Sequence, residues 1–141
     1  MSDLKKRIYG AIKKPQIMPL ATVTEDEKPW VRYITGWGSE DLTIRFITSL
    51  QSRKVGQIKR NPEVHLTCGA QTAESTENYL QISGRARFTT DKKERQRFWK
   101  DELKAYFSGP DDPTYCICVI KPYRIESYGM TQSGPEVWES D

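Results

Sequence analysis

A chain of 141 residues that is 36% hydrophobic and 11% aromatic can bury one ordinary core without staples, and it is too rich in aromatics to be a disordered segment. Its 22 basic and 19 acidic residues leave a net charge of only +3, which argues against a dedicated nucleic-acid-binding surface. No apolar run approaches the roughly 20 residues that span a bilayer, and the opening MSDLKKRIYGAIKK lacks the apolar stretch of a signal peptide, so the expectation is a single cytoplasmic domain over 1–141 with no membrane partner.

Taken in chain order, Leu4, Ile8 and Ile12 recur every four residues between lysines, which predicts an amphipathic helix over 3–14 that ends at Pro15. Strands are predicted over 17–24 and 29–37, joined by the polar turn at 25–28, and over 42–48, where Leu42, Ile44 and Phe46 alternate with polar residues. From 52 to 60 the period becomes helical, with Val55 and Ile58 on one face, until Asn61-Pro62 stops it. Strand 63–70 turns Val64, Leu66 and Cys68 inward, the polar stretch 71–77 reads as a loop, and 78–89 is a long alternating strand with Gly84 placed for a bulge or bend. A second helix is predicted over 91–106, capped by Thr90 or Asp91, then a loop over 108–113 and a final strand over 114–128 interrupted by Pro122. The tail, 130–141, reads as extended or frayed. Six strands in mostly antiparallel hairpins, with helices inserted, favour closure into a small barrel, and a polar chain with a thin core favours pairing with a second copy.

The three cysteines read as reduced thiols, because Cys116 and Cys118 lie two apart on one apolar run where a bridge would be strained. No metal site is expected: His65 and Cys68, three apart on a strand, point to opposite faces. His65 itself reads as a structural residue of a core strand.

The segment FITSLQSRKVGQIKRNP, 46–62, concentrates the chemistry. A strand ends at Thr48 and a helix begins near Ser52, so hydroxyls, unpaired first-turn N–H groups and two cations meet at one helix N-terminus. Cations are disfavoured there by the helix dipole, which suits Arg53 and Lys54 to a bound anion. Local chemistry equally allows a capped helix with solvated charges. Neither a Walker nor a Rossmann loop is present.

The run F-I-T-S-L-Q-S-R-K followed by N-P resembles the phosphate-binding segment of the pyridoxamine 5'-phosphate oxidase family of FMN-binding split barrels. LATVTEDEKPWVR at 20–32, SGRARF at 83–88 and PYRIESY at 122–128 resemble the same family in the same order. The resemblance implies a mainly β, α+β fold: a six-stranded antiparallel split barrel with peripheral helices. It further implies FMN as cofactor, with Arg53 and Lys54 on the phosphate, Ser52 and Thr48 adding hydroxyls, and Arg32, Tyr33, Ile34, Phe46 and Ile47 beside the isoalloxazine ring. In such homodimers the flavin lies between subunits, which would bring Tyr79 and Tyr128 to the partner's cofactor. The shorter, stress-associated members are the most similar.

The family's oxidases carry an arginine- and histidine-bearing segment after the last strand that reads the vitamin phosphate. Here no arginine follows Arg124 and no histidine follows His65, so the expectation is an FMN-dependent oxidoreductase on another small molecule. The alternatives are a flavin-binding module without turnover, or a barrel holding a deazaflavin or haem. No catalytic acid or base is assigned, since flavin chemistry resides in the cofactor. The carboxylates do not pair as a hydrolase would need.

Overall fold

Strict alternation of apolar side chains sets the barrel. The computed structural model describes residues 1–70, 72–75, 78–129 and 133–141. In β1 (Gln16–Val23) Met18, Leu20 and Thr22 turn inward, and the strand forms a hairpin with β2 (Pro29–Gly38) from Gln16↔Gly36 to Val23↔Pro29. β3 (Ile44–Ser49) pairs with β2, β4 (Glu63–Cys68) pairs with β1, and β5 (Asn78–Thr89) pairs with β4. β6 (Tyr115–Gly129) pairs with β5 and also with β3, from Ile44↔Ile120 to Ser49↔Tyr115. That second pairing closes a six-stranded antiparallel split barrel, in the order β3-β2-β1-β4-β5-β6.

Three helices dress the barrel. α1 (Asp3–Ile12) begins at Ser2, whose hydroxyl accepts from the Lys5 N–H at 3.1 Å, and it drives Ile8 and Ile12 into the core beside Met18, Leu20, Ile44, Phe46 and Ile82. Each such side chain contributes about 1.5–3 kcal/mol by leaving water. α2 (Arg53–Arg60) is pinned by buried Val55 and Ile58. α3 (Lys92–Phe98) is capped by Asp91, which accepts from the Glu94 N–H at 3.2 Å. No helix among the described residues is long and apolar enough to cross a membrane.

From Tyr115 to Ile120 every residue of β6 is buried, so this stretch faces a core on both sides. Cys118 and Ile120 join the barrel interior, while Tyr115, Ile117 and Val119 form a second cluster with Phe98, Trp99, Leu103 and Phe107. This outer cluster explains why the helix expected over 91–106 is broken. After Phe98 the chain turns through Trp99 and Lys100 into a 3-10 segment, Asp101–Ala105, and Trp99 meets the Tyr115 ring edge-on at 5.5 Å. Burial of the aromatics outweighs helix continuity. The Tyr115 hydroxyl donates to the Arg95 carbonyl at 2.8 Å and ties α3 to the barrel.

The tail, expected to be extended or frayed, is extended where it is described: β7 (Glu136–Glu139) pairs with β6 from Arg124↔Glu139 to Ser127↔Glu136, and Trp138 packs on the core. β7 therefore adds a seventh strand outside the closed six, while 130–132 lie outside the described residues. Within the stretch expected to be a loop, Ala73–Ser75 forms one 3-10 turn, and residues 71, 76 and 77 lie outside the described ones. The expected irregularity at Gly84 is present as a register shift between Ser83 and Gly84, opposite Pro122. A Cβ at Gly84 would lie 2.9 Å from the Lys121 carbonyl oxygen, and Pro122, lacking an N–H, is tolerated in a strand at such a bulge.

Gly38 is another glycine that packing demands, since a Cβ there would overlap the Ile12 side chain and lift α1 from the barrel. Gly38→Ala should destabilise the fold by about 1–3 kcal/mol. Most of that penalty should vanish in an Ile12→Ala background, as urea unfolding of the double-mutant cycle will show.

Candidate functional site

The turn from β3 to α2 is fixed by the backbone before any ligand is considered. The Leu50 N–H donates to the Thr114 carbonyl at 2.8 Å, and the Ser52 N–H donates to the Ser49 carbonyl at 2.9 Å. Val55 and Ile58 hold the helix against the barrel, so its N-terminus and Lys54 stay beside the end of β3. Ser52 occupies the cap position without a side-chain cap bond. Its hydroxyl instead accepts from Lys54 Nζ at 3.0 Å, and Thr48 Oγ1 accepts from the same ammonium at 3.1 Å.

Arg32 reaches this rim from β2. Its guanidinium donates to Thr22 Oγ1 at 2.6 Å and, through the other nitrogen, to Gln57 Oε1 on α2 at 2.8 Å. Arg53 lies with its guanidinium 6.0 Å from the centre of the Trp30 ring. Among the described residues no carboxylate forms an ion pair with Arg32, Arg53 or Lys54. Burial, reinforced by the Arg32 charge, pulls the Lys54 pKa below the usual lysine value, and burial followed by Arg53 does the same for Arg32. Both directions mark positive charge held close together without a counter-ion.

Beside this rim opens a cleft of about 700 Å³. Tyr33, Thr35 and Trp37 line it from the outer face of β2, joined by Ile34, and Ile47, Thr48 and Ser49 line it from β3. Phe98, Leu103, Tyr106 and Phe107 form the opposite wall, with Lys54 at the rim and Lys100 and Glu102 also lining the space. The wall stands because Phe107 and Leu103 are rooted in the outer cluster on β6. Size and lining suit a flat, largely apolar ligand that carries an anionic end.

Of the residues expected at a site, Tyr33, Ile34, Ile47, Thr48 and Lys54 lie together on the cleft lining, and Ser52, Arg32 and Arg53 stand at its charged rim. Phe46 does not join them through its side chain: in alternation with Ile47 it points into the barrel and is 1% exposed, so only its backbone can face a ligand there. Tyr79 and Tyr128 stack on each other at 5.4 Å, and Tyr79 lines a separate hollow with Arg7 and Cys68, away from the cleft of their own chain.

His65, on the strand whose Val64, Leu66 and Cys68 turn inward, is exposed on the outer face of β4. The three thiols are free and buried; burial pushes Cys68 and Cys116 up to about 11 and Cys118 higher still. No cluster of potential metal ligands occurs among the described residues.

Sequence reasoning missed Thr35, Trp37 and the wall from Phe98 to Phe107. For the first two a signal existed, since period two from Tyr33 places both on the outer face of β2. The wall had none, because its placement depends on the helix break and on the outer cluster.

Fold and cleft thus define a closed split barrel with a cationic rim beside a largely apolar cleft. Residues 4–129 match the family model described as pyridoxamine 5'-phosphate oxidase, and the chain belongs to that family. It is 29% identical over 133 residues to general stress protein 26 of Bacillus subtilis (strain 168), covering 94% of each chain. The crystal structure of general stress protein 26 from Bacillus anthracis str. Sterne superposes with a TM-score of 0.83 at 27% identity, covering 99% of this chain and 100% of that one. Two structures at 16% identity share the fold: a pyridoxamine 5'-phosphate oxidase-related, FMN-binding protein from Nostoc punctiforme PCC 73102 (TM-score 0.63, covering 89% of this chain and 81% of that one) and a heme-binding protein from Mycobacterium smegmatis (0.66, 99% and 59%).

The loop behind the wall supplies a pH test. The Asp112 carboxylate accepts from the Ser108 and Thr114 N–H groups at 2.9 and 2.8 Å and from the Thr114 hydroxyl at 2.8 Å. These bonds, the Ser108 N–H foremost, hold its pKa at about 2. Because the folded value is depressed, the clamp contributes stability above the ordinary value of 3.8 and loses it as pH falls through about 2. Carboxylate-detected NMR should place the Asp112 midpoint at about 2, and Asp112→Asn should loosen the loop at neutral pH, read as faster amide exchange at Ser108 and Thr114.

Proposed function

We propose that this protein binds FMN in the cleft beside α2, as a homodimer with the flavin at the subunit interface, and acts as a cytoplasmic FMN-dependent oxidoreductase on a small molecule. The observation that carries the reading is the group of three cations at the rim, with no carboxylate paired to them among the described residues, next to an aromatic-walled cleft of about 700 Å³. These donors fit a phosphate monoester: Arg53 offers a forked guanidinium, Lys54 an ammonium already aimed by Thr48 and Ser52, and the first turn of α2 its N–H groups. Tyr33 and Ile47 would hold the flat ring and exclude water from one side of it, while the Ile34 side chain, buried in the barrel core, would support the strand beneath. When bound, the flavin would supply hydride or electron transfer, while the chain binds and orients it.

The FMN named for the Nostoc neighbour favours a flavin, and the heme of the mycobacterial neighbour is the competing cofactor. Among the described residues the cleft lining offers no histidine, cysteine or methionine as an axial ligand; Tyr33 and Tyr106 are the side chains there that could ligate a haem iron, and His65 lies elsewhere, on the outer face of β4. A colourless purified protein that takes up no FMN in titration would overturn the reading; the expected result is a flavin absorption spectrum and a released chromophore of FMN mass. Flavin that neither reduced nicotinamide nor a small quinone can reduce or reoxidise would mark a binding module without turnover. Three buried free thiols accord with the reducing cytoplasm.

Arg53→Ala combined with Lys54→Ala should lower FMN affinity by about 3–6 kcal/mol, from about 1.5–3 per charged hydrogen bond, and leave riboflavin affinity unchanged in fluorescence titrations.

For the homodimer, the support is the outer face of the β1–β2 hairpin, where Ile17, Val31 and Tyr33 are 59%, 64% and 75% exposed around Pro19 and Ala21. An apolar face of this kind suits a second copy. Val31→Glu should convert a dimer to monomer in sedimentation velocity without unfolding the barrel.

A further inference from the structure

The hydrogen bonds of Arg32 have a common property. Every acceptor it uses is neutral: the Thr22 hydroxyl at 2.6 Å, the Gln57 side-chain carbonyl at 2.8 Å, the Trp30 carbonyl at 3.3 Å and the Leu20 carbonyl at 3.4 Å. A partly buried arginine is ordinarily held by a carboxylate, which offers a bidentate pair and offsets the cost of desolvation. Here two side chains from different elements, β1 and α2, are joined to each other as well as to the arginine. The Thr22 hydroxyl donates to Gln57 Oε1 at 2.6 Å, so one carbonyl oxygen serves both donors.

Thr22 is 2% exposed, the only polar residue of β1 turned fully into the barrel. A threonine so placed would leave an unsatisfied hydroxyl unless it both donates and accepts, and the network gives it one bond of each kind. Gln57 stands one helical turn beyond Arg53 on the same face of α2, so the guanidinium it holds lies alongside the first turn that bears Arg53 and Lys54. The depressed pKa values of Arg32 and Lys54 agree with that placement.

We infer that Gln57, braced by Thr22, is a positioning residue that fixes Arg32 as a third cation of the anion site while leaving its charge uncancelled. The inference rests on the reading of that site as the binding place of the FMN phosphate. Glutamate at position 57 could accept the same bonds with the same reach, and for the stability of the fold alone it would serve as well. Only a requirement for net positive charge at the rim distinguishes the amide from the acid.

The test measures FMN and riboflavin affinities by flavin fluorescence in the full chain and in Gln57→Glu, with thermal unfolding of each. Gln57→Glu should keep or raise its melting temperature, lose FMN affinity by about tenfold to a hundredfold, and keep riboflavin affinity within about twofold. Unchanged FMN affinity, or an equal loss for both flavins, would overturn the inference. A wild-type chain that shows no preference for FMN over riboflavin would overturn the phosphate reading itself, and the inference with it. Should Gln57→Glu fail to fold, Gln57→Met and Arg32→Met provide a double-mutant cycle. Losses of FMN affinity in the two variants that do not add would support the clamp, and additive losses would count against it.

Discussion

The pairing of β3 with β6 is the constraint from which the rest of the molecule follows. Without it the strands would form an open sheet with two edges. With it, Ile44 to Ser49 lie against Tyr115 to Ile120, and that stretch of β6 is buried on both faces. A strand so placed must be covered from outside, because Tyr115, Ile117 and Val119 cannot be left to water at about 1.5–3 kcal/mol each. Phe98, Trp99, Leu103 and Phe107 supply the cover, and Phe98, Leu103 and Phe107 also form one wall of the cleft. The same pairing delivers Thr48 and Ser49 to the barrel rim, where α2 begins. Barrel closure therefore creates the cleft and sets the charged rim beside it.

Charge at that rim works against the stability of the isolated chain. Arg32 and Lys54 are partly buried, which lowers the pKa of both; Arg53 adds to the effect on Arg32 and Arg32 to that on Lys54, and the dipole of α2 opposes Lys54 in its first turn. A fold selected for stability alone would place a carboxylate among them, and the surface has carboxylates to spare. Glu63, for example, accepts from Arg85 at 2.9 Å and from the Tyr123 hydroxyl at 2.9 Å on another part of the barrel. Neutral oxygens from Thr22, Gln57, Thr48 and Ser52 hold the rim instead. Such an arrangement satisfies the hydrogen-bonding needs of the cations without cancelling their charge.

Much of the barrel was legible in the sequence because strands such as β4 and the first half of β5 alternate cleanly: Val64, Leu66 and Cys68, or Leu80 and Ile82, can turn inward together only in a strand of one register. Gly84 was legible as well, since a residue without Cβ in a long strand marks close backbone approach. The cationic segment could be seen because it is local: one strand end, one helix start and the cations at that junction. What escaped was decided by tertiary contact. Whether 92–105 is one helix or two pieces depends on which rings β6 needs covered. β7 becomes a strand only because β6 extends past the barrel and offers an edge, which Val137 and Trp138 meet in register. Phe46 and Ile47 differ for a simpler reason: adjacent residues of a strand face opposite ways, so one motif cannot bring both side chains to the same cleft.

Tyr33 connects the two halves of the functional reading. It lines the cleft and yet is 75% exposed, as part of the apolar face that includes Ile17 and Val31. The cleft is thus walled by α3 and the 3-10 segment on one side and open toward that face on the other. If a second copy covers the face, it closes the cleft over any flat ligand lying on Tyr33, and ligand and partner then bury the same side chain. Two such equilibria cannot be independent: whatever the flavin contributes to ordering Tyr33 also favours association, and association tightens the flavin by the same factor. Under the proposed reading, dimerisation is therefore part of cofactor binding, and an affinity measured for one has meaning only at a stated concentration of the other.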